Sequence, residues 1–227
     1  MFALFGNINF YIYFIYGASF LAMAAFVFSG IKKAKSYTLV SSFWLLAAFG
    51  LTHGITEIVD WLRFIERTRG SMENVGLLYT SKIFLIFSFV LLTQFGVNLL
   101  TYKNSQSKRP RVIPIILLVV YLVAIVFFKI YDIRQASLIA RYSFGFVGSM
   151  LGAIGLILLK RDMKLLGNKR LNWGITVLAV GLAAYAIFGG LIVTPLFGLP
   201  IQLFRTVCAF SIAVASVSIL DIFKVNQ

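Results

Sequence analysis

Seven apolar runs of roughly 20 residues each, parted by short clusters of Lys and Arg, decide what this chain can fold into. They cover approximately Asn9 to Gly30, Thr38 to Arg63, Leu77 to Tyr102, Val112 to Phe128, Tyr142 to Leu159, Asn172 to Val193 and Ile201 to Phe223. Each matches the length of helix needed to cross a bilayer. With 60% hydrophobic and only 12% charged residues and a mean hydropathy of +0.94, too little polar side chain is left to cover a water-soluble domain. The expectation is an all-α polytopic membrane protein, residues 1–227 forming a single seven-helix transmembrane domain. The first run lacks a basic leader and a small-residue cleavage site, so it reads as a retained helix.

The basic excess then has a simple cause. The chain has 21 Lys and Arg against 7 Asp and Glu, a formal charge of +14. Basic loops resist translocation and sit beside anionic headgroups, so membrane lipid, and no nucleic acid, is the partner this charge implies. Alternate connections are unequal by roughly two to one in Lys and Arg. The richer set holds Lys32, Lys33 and Lys35, then Lys103, Lys108, Arg109 and Arg111, then Lys160, Arg161, Lys164, Lys169 and Arg170, and Lys224. The poorer set holds Arg63, Arg67, Arg69, Lys129, Arg134 and Arg141, with Glu66, Glu73 and Asp132 among them. This bias predicts the N-terminus outside, the C-terminus in the cytoplasm, and a multi-pass protein of the inner (plasma) membrane. Lys103 to Arg111 reads as a polar linker, and the single cysteine, Cys208, excludes an internal disulfide.

Ionisable groups inside apolar spans are costly and therefore informative. On the second helix His53, Glu57 and Asp60 stand at i, i+4 and i+7 and share one face. Lys82 enters the third helix and Arg205 the seventh at the same depth, in the outer half. An unpaired charge in hydrocarbon costs several kcal/mol, so these five groups are expected to converge as ion pairs or to line a wet cavity. Tyr11, Tyr13 and Tyr16 on the first helix lie at that level and offer hydroxyls and aromatic wall. The alternative is that Glu57, Asp60, Lys82 and Arg205 tie helices together while Tyr and Trp61 form an interfacial belt. His53 has no second His to join it, which argues against zinc or haem ligation; no metal and no cofactor is expected.

Weaker features complete the pattern. Gly145, Gly148, Gly152 and Gly155 make a small-residue stripe on the fifth helix, suited to close packing inside the chain or, alternatively, to a homodimer. Gln94 and Asn98 suggest interhelical hydrogen bonds in the inner half. Pro195 and Pro200 bracket Leu-Phe-Gly-Leu, a short connection that positions Arg205. No phosphate-binding glycine loop, nucleophile elbow or catalytic carboxylate pair is present, so no enzymatic activity is expected.

Several stretches resemble the seven-helix N-terminal membrane sensor module of bacterial histidine kinases and diguanylate cyclases. They are Phe10-Tyr11-Ile12-Tyr13-Phe14-Ile15-Tyr16-Gly17, Phe49 to Glu57 with Asp60-Trp61, Ser88-Phe89 with Phe95-Gly96, and Pro200-Ile201-Gln202-Leu203-Phe204-Arg205 with Cys208-Ala209. The resemblance implies sensory or core-organising roles for His53, Glu57, Asp60, Trp61 and Arg205. In such modules the seventh helix leads into a cytoplasmic output domain, whereas this sequence ends at Gln227, so the output is expected to be absent, removed or carried by a separate kinase or cyclase. The expected function is a receptor-like module whose outer-half pocket couples an unknown small-molecule or lipophilic signal, or a protonation, to that effector through helix 7. A transporter or channel, and a metal-dependent membrane enzyme, are the alternatives from other classes; the shortage of polar groups in the inner half argues against conduction.

Overall fold

A computed structural model describes residues 8–33, 40–101, 112–163 and 168–225; the linker expected over Lys103 to Arg111, together with Lys35 and Lys164, lies outside the described residues. The described chain is helical almost throughout. Helix α1 spans Ile8–Lys33, α2 Val40–Thr68, α3 Val75–Leu100 and α4 Ile113–Phe127. Helix α5 runs over Ile133–Ala140, widens into a π-helical stretch at Arg141–Phe146 and continues over Val147–Met163. Helix α6 covers Lys169–Tyr185 and ends in a second π-helical stretch, Ala186–Leu191; α7 covers Ile201–Val225.

Local sequence explains where these helices begin. Asn74 accepts a hydrogen bond from the Leu77 amide at the start of α3, and Asn168 accepts one from Leu171 at the start of α6. Asp132 does the same for the Arg134 amide and opens α5, nine residues before the apolar run that its composition suggests. Consequently Arg134 and Arg141, expected in an outer loop, lie within α5, and Arg63 lies within α2, which continues to Thr68. A helix tolerates such a charge when it reaches a partner, as all three do. The link from α6 to α7, residues 192–200, contains a two-residue hairpin turn in which Leu196 and Leu199 exchange amide-to-carbonyl bonds of 3.0 and 2.9 Å. Phe197 and Gly198 at its tip both have positive φ, 51° and 74°.

Six helices form a closed ring. Around it α1 packs on α2, α2 on α3, α3 on α5, α5 on α6, α6 on α7, and α7 back on α1. Helix α4 lies outside, against α3, with only Pro114 and Tyr121 buried; the Tyr121 hydroxyl donates to the Ala136 carbonyl of α5. The six ring helices are each long and apolar enough to cross a membrane. Helix α4 is as apolar but has 15 residues, about 22 Å of rise against a hydrocarbon core of about 30 Å.

The ring interior is filled by aromatic side chains, with Tyr16, Phe20, Phe43, Phe49, Phe89, Phe95 and Tyr185 fully buried. Its outside is the inverse of a soluble protein, with Phe26, Ile83, Val123, Val180 and Phe210 exposed among many others. Such a surface is stable only against an apolar solvent, which makes this a multi-pass membrane protein.

The glycine stripe of α5 is consumed within the chain. A Cβ on Gly148 would stand 2.7 Å from the Thr93 backbone nitrogen of α3, and one on Gly155 2.6 Å from Leu99 Cβ. Gly145 faces the Phe89 ring and Gly152 faces Leu182. Thr93 uses that closeness to donate to the Phe144 carbonyl at 3.1 Å. Gln94 and Asn98, in contrast, bond no other helix among the described residues: the Gln94 amide donates to Asn98 Oδ1 at 2.8 Å, one turn along the same helix.

Candidate functional site

Two polar layers stack at the end of the ring where α2 closes and α3, α5 and α7 open. The deeper layer centres on His53, which is 0% exposed and caged by the rings of Tyr16, Phe20, Phe49, Phe89 and Tyr185. Its Nδ1 lies 3.0 Å from Ser88 Oγ, and Ser88 donates its single proton to the Leu85 carbonyl at 2.7 Å. Ser88 must therefore accept from His53, which fixes the proton on Nδ1. Nε2 faces the Tyr185 hydroxyl at 2.8 Å, the Tyr16 hydroxyl at 3.3 Å and Glu57 Oε1 at 3.5 Å.

Glu57 joins this layer to the one above. Beyond it opens a cavity of about 420 Å³ whose wall includes Glu57 and Asp60 of α2, Lys82 of α3, Arg134 and Arg141 of α5, and Gln202 and Arg205 of α7. Asp60 is held from three sides, by Arg63 at 2.5 Å, Lys82 Nζ at 3.1 Å and the Ser81 hydroxyl at 2.7 Å. Tyr13 contributes its hydroxyl, which accepts from the Gln202 amide at 2.9 Å. At the rim Glu73, between α2 and α3, accepts from Arg63 at 2.5 Å and also from Arg67 and Arg134. Those three guanidiniums hold the Glu73 carboxyl well below its usual range, at about 2.

Arg205 lines the cavity, the second of the two expected arrangements, and meets no carboxylate among the described residues; its Nε donates to the Phe188 carbonyl at 2.7 Å and its Nη2 to the Ile192 carbonyl at 2.8 Å. Arg141 Nη1 donates to the Gly189 carbonyl at 2.6 Å and its guanidinium lies over the Phe89 ring. These carbonyls belong to the end of α6, where a helix runs out of its own amide partners and carries partial negative charge. Two arginines from two other helices therefore cap α6.

The remaining expected residues separate clearly. Lys82, Asp60, Glu57, Arg205 and Tyr13 share the cavity wall, whereas His53 and Tyr16 lie beneath it in the aromatic cage. Trp61 is not part of either layer: it packs on Phe10 and Phe14 of α1, with ring centroids 5.3 and 5.2 Å away. One residue after Asp60 on a helix, it points about 100° aside. Tyr11 is exposed on the outside of the ring. Arg141, Arg63 and Tyr185 were not singled out from the sequence as site residues, and Ser88 entered only through the resemblance; the charge of the two arginines marks them there, but they were counted with the loops. Among the described residues no group of three or more His, Cys, Asp or Glu side chains could hold a metal ion.

No protein-family model, no curated protein and no solved structure matches this chain.

Proposed function

We propose that the chain is a membrane-embedded receptor module in which the cavity takes a signal and α7 carries its effect to the other end of the ring. The supporting observation is that α7 supplies Ile201, Gln202 and Arg205 to the cavity wall and then continues without a break to Val225. Those side chains are also its attachments to the neighbouring helices: Gln202 to Tyr13 of α1, and Arg205 to the α6 carbonyls. A ligand competing for either would bias how α7 sits between α1 and α6, which is what differential binding to two arrangements requires. On this reading α4 completes seven crossings, the cavity end faces outward and the basic end faces the cytoplasm, where a histidine kinase or diguanylate cyclase is the effector.

The sealed interior favours a receptor over a conduit. Below the cavity His53 and the fully buried Phe20, Phe49, Phe43 and Phe95 close the ring. A fusion of this chain to a cytoplasmic histidine kinase, assayed for autophosphorylation in membranes, tests the reading. Glu57→Ala, His53→Ala and Gln202→Ala are expected to change the output at unchanged protein level. Output unaltered in all three would overturn it.

A further inference from the structure

We infer that the cavity takes an oxyanion, a carboxylate or a phosphate group, held between Arg141 and Arg205; this rests on reading the cavity as a ligand site. The ground is a charge imbalance that the protein does not settle by itself. Six cations stand on the wall, Arg63, Arg67, Lys82, Arg134, Arg141 and Arg205, against the two carboxylates Glu57 and Asp60. Glu73 at the rim adds a third negative charge, but it is engaged by Arg63, Arg67 and Arg134. Asp60 is engaged by Arg63 and Lys82. Glu57 lies 3.5 Å from Nε2 of His53, an unprotonated nitrogen that gives it no charge partner, so it is the one wall carboxylate left without a cation within ion-pair distance among the described residues. Arg141 and Arg205 are left with no carboxylate within ion-pair distance among the described residues.

These two guanidiniums bond the carbonyls of consecutive residues, Phe188 and Gly189, so they stand side by side. Like charges held together in a largely desolvated site repel, and carbonyl dipoles offset only part of that. Each guanidinium has five N–H donors, of which the α6 carbonyls take two from Arg205 and one from Arg141. Both side chains line the cavity, and none of their other nitrogens is buried without a partner. Adjacent forks with free N–H groups suit the two or three oxygens of a carboxylate or phosphate, which guanidinium binds in bidentate fashion. The volume, about 420 Å³, leaves room for a small organic acid or a lipid headgroup and excludes a polymer.

The full chain in nanodiscs of phosphatidylcholine alone provides the test, titrated with inorganic phosphate, succinate and dioleoyl phosphatidic acid, with tetramethylammonium as the cationic control. Binding by calorimetry and the shift of unfolding temperature are the readouts. Saturable binding of at least one anionic probe, absent for tetramethylammonium and weakened at least tenfold in Arg141→Gln and Arg205→Gln, is expected. Binding of phosphate or succinate assigns a soluble ligand, and binding of phosphatidic acid alone assigns a lipid headgroup; both support the inference. Because Arg205 also caps α6, Arg205→Lys and Arg141→Lys, which keep the charge and lose the fork, provide the variants for use if the glutamine forms do not fold, and a loss of at least fivefold is expected. No saturable binding of any anionic probe, or equal binding in all four variants, overturns it. The two proposals fail separately: an anion that binds without altering the kinase fusion sinks the receptor reading alone, and a neutral or cationic effector of the fusion that anions do not displace sinks this one alone.

Discussion

The Tyr185 hydroxyl lies 2.8 Å from Nε2 of His53, a contact between α6 and α2 across 132 residues of chain. On the opposite edge of the ring Nδ1 meets Ser88 of α3. One imidazole therefore joins three helices in the middle of the bundle, with Tyr16 of α1 as a fourth neighbour.

That geometry predicts a single tautomer. The chain has one His, so a ¹⁵N-histidine NMR spectrum reports it without overlap. Protonated Nδ1 and an accepting Nε2 are expected; a proton resident on Nε2 alone would refute the arrangement. Ser88→Ala leaves the buried Nδ1 without its partner and should cost about 1–2 kcal/mol in equilibrium unfolding, and Tyr185→Phe, which leaves Nε2 the longer Tyr16 contact, should cost less.

Strong acid should loosen the rim. Glu73 is depressed from 4.5 to about 2 in the folded protein, so its contribution to stability is complete above pH 4.5 and is lost as pH falls toward 2. Glu73→Gln removes this dependence. The stability difference between wild type and variant should be constant above about pH 5 and vanish near pH 2. A difference that stays level down to pH 2 would show that the three arginines do not hold Glu73 in solution.

Close approach of α3 and α5 sets a third expectation. Gly148→Ala would push a Cβ to 2.7 Å from the Thr93 backbone nitrogen, which cannot move without moving α3. A loss of about 1–3 kcal/mol follows. Gly76→Ala, whose added Cβ meets nothing closer than the Asn74 side-chain oxygen at 3.2 Å, should change stability by less than about 0.5 kcal/mol. Equal effects of the two substitutions would contradict the packing.

Strain at the α6–α7 turn gives the last. Phe197 holds φ of 51° at an exposed tip, where a bulky L side chain is disfavoured and Asn is tolerated. Phe197→Asn should stabilise the protein by about 1 kcal/mol, seen as a higher unfolding temperature, without altering oligomeric state. A lower unfolding temperature would mean that the exposed ring contributes more through its surroundings than the backbone loses.

The helices themselves were legible in the amino-acid order because spanning a bilayer is a local requirement, met within each run of 20 or so residues. The face shared by His53, Glu57 and Asp60 was legible too, since helical spacing alone aligns them. Helix ends were less so. Asp132 starts α5 early, and the basic residues Arg63 and Arg141 read as loop markers until their partners, Asp60 and the Gly189 carbonyl, are in view. Tertiary structure alone decided that α4 stands outside a ring of six and that Arg205 caps α6 instead of pairing with Glu57. It also placed Tyr185 against His53 and set on one cavity two guanidiniums that have no carboxylate within ion-pair distance among the described residues. Each of these depends on which helix lies beside which, and that choice is made by close glycine contacts and buried polar partners far apart in the chain, whose meeting no periodicity encodes.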